Sequence, residues 1–159
     1  MKRAVVLGWF VALVALGGCD KQKLIPNTEV PDTPTNREVL TVVERYRQAM
    51  ERLDAAAVLA LVHPTYADAG GTPENGDDLD FDGLRKLLAS RFKRTTRVRY
   101  RIEYQAVAIK GSEAQVDAWI DATFVYEQPE QSARWQRMTD HNRFRLTKEG
   151  VSWRFTGGL

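Results

Sequence analysis

Apolar and polar residues alternate in long runs from residue 97 to the end of the chain, and this alternation restricts the fold more than any other feature. Because successive side chains of a strand point to opposite faces, a period of two predicts strands that are buried on one face only. The runs are broken at residues 110–112, near 128–131 and at 148–150, where turn-forming residues lie. The second half of the chain is therefore predicted to form four antiparallel strands.

Tight turns at these breaks determine which residues of neighbouring strands lie opposite each other. Paired residue numbers are expected to sum to about 222 for the first two strands, about 260 for the next two and about 297 for the last two. One face of the sheet then collects the apolar side chains Val98, Tyr100, Ile102, Tyr104, Val116, Ala118, Ile120, Phe124, Met138, Phe144, Leu146, Val151, Trp153 and Phe155.

The first half of the globular part has helical periodicity instead. Residues 35–38 match a capping box, and apolar residues recur on one helical face over residues 39–53. Asp54 is expected to cap a second, short helix that ends at Val62 because the next residue precedes a proline. A third helix is predicted over about residues 80–94. These three helices must cover the apolar face of the sheet.

Three helices followed by an antiparallel meander resemble the nuclear transport factor 2-like superfamily, which includes ketosteroid isomerases, scytalone dehydratase and polyketide cyclases. The resemblance covers residues 36–158 and rests on the element order, on Asp-Gly-Leu at 82–84 and on Trp-Arg-Phe at 153–155. It implies an α+β fold in which three N-terminal helices pack on a curved, four-stranded or larger antiparallel sheet, so that a cone encloses a pocket. Members use this pocket for catalysis or for binding, so the fold alone does not assign a function.

The first eighteen residues have the organisation of a secretory signal peptide. Lys2 and Arg3 precede an apolar run of thirteen residues, which is shorter than the roughly 20 residues that span a membrane. Residues 16–19, Leu-Gly-Gly-Cys, resemble the lipobox of bacterial lipoproteins. The resemblance implies that Cys19 becomes the first residue of the mature chain and carries a diacylglycerol thioether. The alternative is an ordinary secretory signal with a chance cysteine.

The resulting organisation is a signal peptide over residues 1–18, a lipidated cysteine and tether over 19–35, and one globular domain over 36–159. Residues 20–35 contain three prolines and no apolar periodicity, which predicts an extended tether of at most about 50 Å. The protein is expected on the extracytoplasmic side of a membrane in the cell envelope, and the choice between the inner and outer membranes stays open.

Removal of the signal also changes the charge of the chain. The full chain has 23 basic and 21 acidic residues, and Lys2 and Arg3 leave with the signal, so the mature chain has 21 of each. A neutral domain gives no support for nucleic-acid binding or for attachment to anionic headgroups through bulk charge.

Two polar residues, Asp140 and Asn142, interrupt the apolar face in the third strand, and Tyr100 and Tyr104 lie two strands away on the same face. A carboxylate on a covered apolar face must be hydrogen-bonded or raise its pKa. The resemblance to isomerases suggests Asp140 as a general base, Tyr100 or Tyr104 as an oxyanion donor and Asn142 as an orienting group. The alternative is that Asp140 and Asn142 bind backbone groups near a strand end or bulge. The predicted pocket is lined by Tyr46, Tyr100, Tyr104, Asp140, Asn142 and Trp153.

The acidic stretch at residues 77–83 matches the opening of an EF-hand loop at Asp78, Asp80 and Asp82. The match fails at the bidentate ligand, because the residue eleven positions after Asp78 is Ala89. A looser calcium site and helix capping by Asp80 or Asp82 remain as alternatives. The two histidines are far apart and the single cysteine is predicted to be lipidated, so no metal or other cofactor is expected.

The opposite face of the sheet is predicted to carry ion pairs, with Arg101 and Arg143 each opposite an aspartate. Trp119 and Trp135 lie on the same face. Exposed tryptophans and arginines are typical interface anchors, and the resemblance implies a homodimer through this face. The alternative is a solvated face on which these side chains lie flat.

Two functions follow from these observations. The first is a membrane-tethered lipoprotein whose non-catalytic domain binds a small apolar ligand or a protein. The alternative is a small acid–base enzyme, similar to an isomerase, cyclase or dehydratase, acting on a hydrophobic carbonyl compound. The enzyme requires Asp140 and a tyrosine to lie within hydrogen-bond distance, so an exposed Asp140 would eliminate it.

Overall fold

Three helices precede the long strands, as predicted. The computed structural model describes residues 22–69, 78–127 and 134–159. Within these ranges the helices are α1 (Pro34–Glu51), α2 (Ala55–Ala60) and α3 (Phe81–Arg94). None of the helices in these ranges has the length and apolar character needed to span a bilayer.

The strands form two antiparallel sheets. Two short strands, β1 (Ala67–Asp68) and β2 (Leu79–Asp80), pair with each other between α2 and α3. They were not predicted, because two residues are too few to show a periodicity. The main sheet has the order β3-β4-β5-β6 and consists of β3 (Thr95–Lys110), β4 (Glu113–Tyr126), β5 (Arg134–Glu149) and β6 (Ser152–Gly157). The predicted α+β class and four-stranded meander are confirmed.

The predicted register is confirmed for two of the three hairpins. Pairs in β3 and β4 sum to 222 from Arg97 to Tyr104, after which a bulge shifts the register, and pairs in β4 and β5 sum to 260 throughout. The prediction of 297 for the last hairpin is wrong, because Glu149 pairs with Ser152. The two-residue turn between them begins at Gly150, whose φ of 59° suits a tight hairpin. Val151 therefore lies at the turn tip, 92% exposed, and not on the apolar face.

Helix α1 begins two residues earlier than the capping box predicted. Its N-cap is Thr33, whose hydroxyl accepts a hydrogen bond from the backbone N of Asn36 at 3.1 Å. Pro34 occupies the first helical position, where its missing N–H costs nothing. Glu38, the last residue of the predicted box, instead accepts a hydrogen bond from Lys148 at 2.9 Å. Asp54 caps α2 and Asp80 caps α3, as predicted.

Residues 23–33 fold back on the domain, so the prediction of an extended tether is wrong for this segment. Its two arms are joined by backbone hydrogen bonds from Ile25 N to Val30 O at 2.9 Å and from Asp32 N to Lys23 O at 2.7 Å. Val30 is fully buried in the core. A proline-rich composition does not reveal that one valine finds an apolar contact, because that contact is made by distant parts of the chain.

The core lies between the helices and the inner face of the main sheet. Helix α1 packs on β3 and β6, and α3 packs on β3. The ring of Tyr46 meets those of Tyr100, Phe144 and Phe155 in edge-to-face contacts with centroids 5.5–5.8 Å apart. Met138 has the inner-face register but is 42% exposed, and within the described ranges no helix packs extensively on β5. The aromatic side chains fill the space where the predicted pocket was expected.

Candidate functional site

Asp140 lies opposite Ile120, as predicted, but its side chain is exposed. Strand β4 separates it from β3, which places Asp140 about 10 Å from the backbone of the candidate tyrosines. The neighbouring Asn142 is half-buried, and its Nδ2 donates a hydrogen bond to the carbonyl O of Gly158 at 2.8 Å. This bond ties the end of the chain to β5. The structure therefore does not assemble the proposed base with its oxyanion donor.

The three candidate tyrosines share a buried environment. The hydroxyls of Tyr46 and Tyr100 lie 3.4 Å apart, and either can donate to the other. The hydroxyl of Tyr104 is buried and has no hydrogen-bond partner within the described ranges. Burial raises the pKa of all three phenols above its ordinary value, so each is neutral at physiological pH.

Most of the predicted pocket residues are packed in or against the hydrophobic core. Among the residues that the structure describes, no carboxylate or imidazole is hydrogen-bonded to the hydroxyl of Tyr46, Tyr100 or Tyr104. Trp153 is also buried, and its Nε1 donates to Glu38 at 3.4 Å. The tyrosine hydroxyls can donate or accept hydrogen bonds, but within the described ranges none of them has a carboxylate or imidazole partner.

A different site opens at the end of the sheet where α3 leads into β3. It is a groove of about 440 Å³ between the C-terminal half of α3, the end of β4 and the start of β5. Its walls are formed by Leu87, Ser90, Arg91, Arg94, Tyr126, Glu127, Arg134 and Gln136. Sequence analysis missed this groove, although the spacing of Arg91 and Arg94 on α3 places both on neighbouring positions of the helix surface.

Positive residues predominate in the described lining of the groove. Among the described residues it contains Arg91, Arg94 and Arg134 and one carboxylate, Glu127. The Arg91 guanidinium lies 5.8 Å from the ring centroid of Phe124, which holds it at the inner wall of the groove. Burial raises the pKa of Tyr100, and the positive charge of Arg91 opposes this effect. The arrangement suits an anionic group bound at the edge of an apolar surface.

Two carboxylates of the acidic stretch contact groups of α3. Asp80 Oδ1 accepts a hydrogen bond from the backbone N of Gly83 at 2.7 Å, and Asp82 pairs with Arg85 at 3.0 Å. In the described part of the chain no cluster of three potential metal ligands occurs, which leaves Asp78 without companions there. Residue 77 lies outside the described ranges.

The predicted interface residues do share the outer face of the sheet. Trp119 lies against His141 with ring centroids 4.6 Å apart, and Trp135 is 67% exposed. Arg143 donates to Asp117 at 2.7 Å, as the register predicted. Arg101 lies opposite an aspartate by register, but its ion pair, at 3.5 Å, is with a glutamate on its own strand.

The comparisons with known proteins concern the fold. No protein-family model matches the chain, and no curated protein matches it. A proposed dehydratase of the NTF2-like family from Streptomyces avermitilis is similar in structure, with a TM-score of 0.65 at 13% identity over 79% of this chain and 95% of that chain. The fold is NTF2-like.

Two further solved structures agree with this result. A ketosteroid isomerase-like protein from Erwinia carotovora atroseptica has a TM-score of 0.61 at 19% identity over 80% of this chain and 95% of that one. A proposed scytalone dehydratase from Novosphingobium aromaticivorans has a TM-score of 0.64 at 12% identity, covering 78% of this chain and 80% of that one. At such low sequence identity, the structural similarity shows a shared NTF2-like fold only. The function has to be argued from the residues of the site.

The lipobox cysteine lies outside the described ranges, together with the whole of residues 1–21. Lipidation of Cys19 therefore stays a prediction from the sequence.

Proposed function

We propose that this chain is a membrane-tethered, non-catalytic binding domain of the bacterial cell envelope, whose ligand is a small molecule with an apolar body and an acidic group. The observation that carries this proposal is the groove beside α3, whose described lining contains three arginines and one carboxylate. Arginine binds carboxylate and phosphate groups through two parallel hydrogen bonds, which favours an acidic ligand. Leu87 and Tyr126 supply the apolar part of the wall.

Exposure of Asp140 is the main argument against an enzyme. Some NTF2-like neighbours are described as proposed dehydratases or as ketosteroid isomerase-like, which supports an acid–base enzyme as the alternative. Proton abstraction requires a base within hydrogen-bond distance of the bound substrate. In this chain the candidate base is exposed, and of the tyrosines proposed to assist it Tyr100 is buried and Tyr104 partly buried against the core. The binding function needs none of these groups to react.

Native mass spectrometry of residues 19–159 purified from a bacterial periplasm tests the ligand. The core runs from Val30 to Phe155, so this chain retains all of it. We expect a co-purifying small acid that is lost in the double variant Arg91→Gln/Arg94→Gln. The matched control is Arg85→Gln, which removes a guanidinium from the same helix outside the groove. A protein that is empty, or a ligand retained equally in both variants, would overturn the binding proposal.

The lipid anchor has a separate test in intact bacteria. Cys19→Ser removes the only thiol, so the variant should accumulate as unprocessed precursor that is not labelled by a radioactive fatty acid. Cys19→Ala is expected to behave in the same way. Normal processing of either variant would show that residues 1–18 act as an ordinary secretory signal.

A further inference from the structure

The proposed lipid anchor lies close to the folded domain. Residues 23–33 are packed on the domain, which leaves only residues 20–22 between Cys19 and Lys23. Four residue steps of fully extended chain span at most about 14 Å. This is less than half the diameter of about 30–35 Å expected for a domain of this size. If Cys19 is lipidated, one side of the domain must therefore touch the headgroup region.

The folded N-terminal segment identifies which side this is. The backbone N of Glu29 donates a hydrogen bond to the carbonyl O of Tyr104 at 3.4 Å, so the segment runs beside the free edge of β3. Lys23, at the start of the segment, has a side chain that is 85% exposed. Lys23 pairs with Asp32 at 3.7 Å, at the other end of the same segment, so the anchor leaves the domain from a segment that contacts the edge of β3.

This outer face carries a positive cluster, which we call the arginine patch and define as Arg97, Arg99, Arg101 and Arg137. The first three alternate along β3, and Arg137 lies on β5 directly across β4 from Arg99. All four side chains are exposed. Two acidic residues lie among them. Arg137 donates to both carboxylate oxygens of Asp121 at 2.8 Å, and Arg101 pairs with Glu103 at 3.5 Å. Among the described residues the patch therefore has a surplus of two positive charges.

The surplus is a local property, because the mature chain as a whole is neutral. After the loss of Lys2 and Arg3, the chain has 21 basic and 21 acidic residues. The rest of the mature chain therefore has a negative excess equal to the positive surplus of the patch. A charge distribution of this kind orients a protein near a charged surface without any net attraction at long range. Trp135, 67% exposed, lies in the same cross-strand row as Arg97 and adds an amphipathic ring.

From the short anchor and from the arginine patch on the strand that the N-terminal segment contacts, we infer that the outer face at the arginine patch lies on the anionic phospholipid headgroups of the membrane that holds Cys19. This inference rests on the proposed lipid anchor and is independent of the groove ligand. The anchor supplies the proximity, so the patch needs to contribute only the orientation. Exposed arginines close to an anionic leaflet are each attracted to it, and a tryptophan is suited to the interface.

A second copy of the chain is the competing occupant of this face. In a symmetric dimer the same surface meets itself, so arginine patches that coincide would repel each other. An anionic surface neutralises the surplus instead. The homodimer predicted through this face is therefore included as an outcome of the test.

The test uses residues 19–159 coupled through the Cys19 thiol to a maleimide lipid, which replaces the biological anchor. Vesicles of phosphatidylcholine are compared with vesicles that contain phosphatidylcholine and phosphatidylglycerol in roughly equal amounts, both with a trace of dansyl lipid. Energy transfer from tryptophan to dansyl reports docking, because Trp119 and Trp135 lie on the outer face. We expect transfer to rise with phosphatidylglycerol and to fall as salt shortens the Debye length from about 10 Å to about 3 Å.

Two triple variants separate the patch from bulk charge. Arg97→Gln/Arg99→Gln/Arg101→Gln should lower the ratio of docked to undocked molecules about a hundredfold. The control removes three exposed positive charges from the helical side through Arg45→Gln, Arg52→Gln and Lys86→Gln, and it should dock as the unchanged protein does. Circular dichroism checks the fold of both, and the salt titration of the unchanged protein requires no variant.

Three results would overturn the inference. They are equal transfer on both kinds of vesicle, equal loss in both triple variants, and transfer that follows the density of coupled protein but not the lipid charge. The last result would assign the face to a second copy. Because the coupling is chemical, a failure of Cys19→Ser to block processing in cells would refute the biological anchor alone, and a negative vesicle result would refute only the docking.

Discussion

The hydroxyl of Tyr104 is buried at the edge strand of the sheet without a hydrogen-bond partner in the described part of the chain. A buried donor that has lost its hydrogen bonds to water and forms none within the protein lowers the stability of the fold. Tyr46 differs, because its hydroxyl lies 3.4 Å from that of Tyr100. The hydroxyl of Tyr104 therefore lowers the free energy of unfolding, and the hydroxyl of Tyr46 raises it.

We expect Tyr104→Phe to raise the free energy of unfolding by about 1 kcal/mol, because it removes the unpaired hydroxyl and keeps the ring. Tyr46→Phe is the matched control and should lower it by about 0.5–1 kcal/mol, since it removes a hydrogen bond. Urea unfolding followed by tryptophan fluorescence measures both. A loss of stability in Tyr104→Phe would indicate that this hydroxyl has a partner.

Acid stability should depend on Glu44. A hydrogen bond from Arg47 holds the pKa of Glu44 below its usual value. A carboxyl whose folded pKa is depressed contributes stability above its unfolded pKa, and this contribution is lost as the pH falls through the folded pKa. Arg47→Gln should therefore flatten the decline in unfolding free energy between about pH 5 and about pH 3. Urea titrations at a series of pH values measure this slope, and an unchanged slope would contradict the assignment.

At the scale of elements, α1 protects the free edge of β3. Glu51 accepts a hydrogen bond from the backbone N of Tyr100 at 2.9 Å, and Arg47 donates to the carbonyl O of the same residue at 3.3 Å. Arg47 and Glu51 also pair with each other at 2.7 Å. An unpaired strand edge invites pairing with other chains, so this contact both attaches the helix and covers the edge.

Glu51→Ala should lower the free energy of unfolding by about 1–3 kcal/mol, because it leaves the Tyr100 N–H without its acceptor. Glu51→Gln keeps an acceptor oxygen at the same position and should lose less. Thermal or urea unfolding of the two variants gives the comparison. Equal losses would show that the charge of Glu51 matters and that its hydrogen bond to β3 does not.

At the scale of the whole molecule, the N-terminal segment is part of the folded domain. A chain that begins at residue 33 keeps the N-cap of α1 but lacks the fully buried Val30 and the bond from Glu29 to β3. Loss of one buried valine alone should lower the free energy of unfolding by about 2 kcal/mol. A chain that begins at residue 22 is the control and should be as stable as one that begins at residue 19. An extended tether would make all three chains equally stable.

The elements were predictable because local signals specify them. Asp54 and Asp80 cap α2 and α3. The alternation of apolar residues predicted β3, β4 and β5, and the paired residue numbers of β4 and β5 sum to 260 as expected. The last hairpin was misplaced because its pairs sum to 301, four more than predicted, so the turn is centred on Gly150 and Val151, two residues later in the chain. This difference places Val151 in the exposed turn and not in a strand.

The candidate site was not predictable by the same means. Register correctly placed Asp140 opposite Ile120, yet whether that position is covered depends on which helices reach the first half of β5. The groove combines residues from α3, β4 and β5, and none of them is distinctive within its own segment. Burial and electrostatic environment arise between elements, so a pattern along one element does not contain them.

The sequence by itself determined the α+β class, the order of the helices and strands and most of the main-sheet register, because caps, turns and periodicity act over a few residues. Only the tertiary structure decided that Asp140 is exposed, that aromatic side chains fill the inner face, and that residues 23–33 pack on the domain. Each of these depends on contacts between residues that are distant in sequence. The free energy of burying a side chain depends on the groups that cover it in the folded protein and not on its neighbours in the chain.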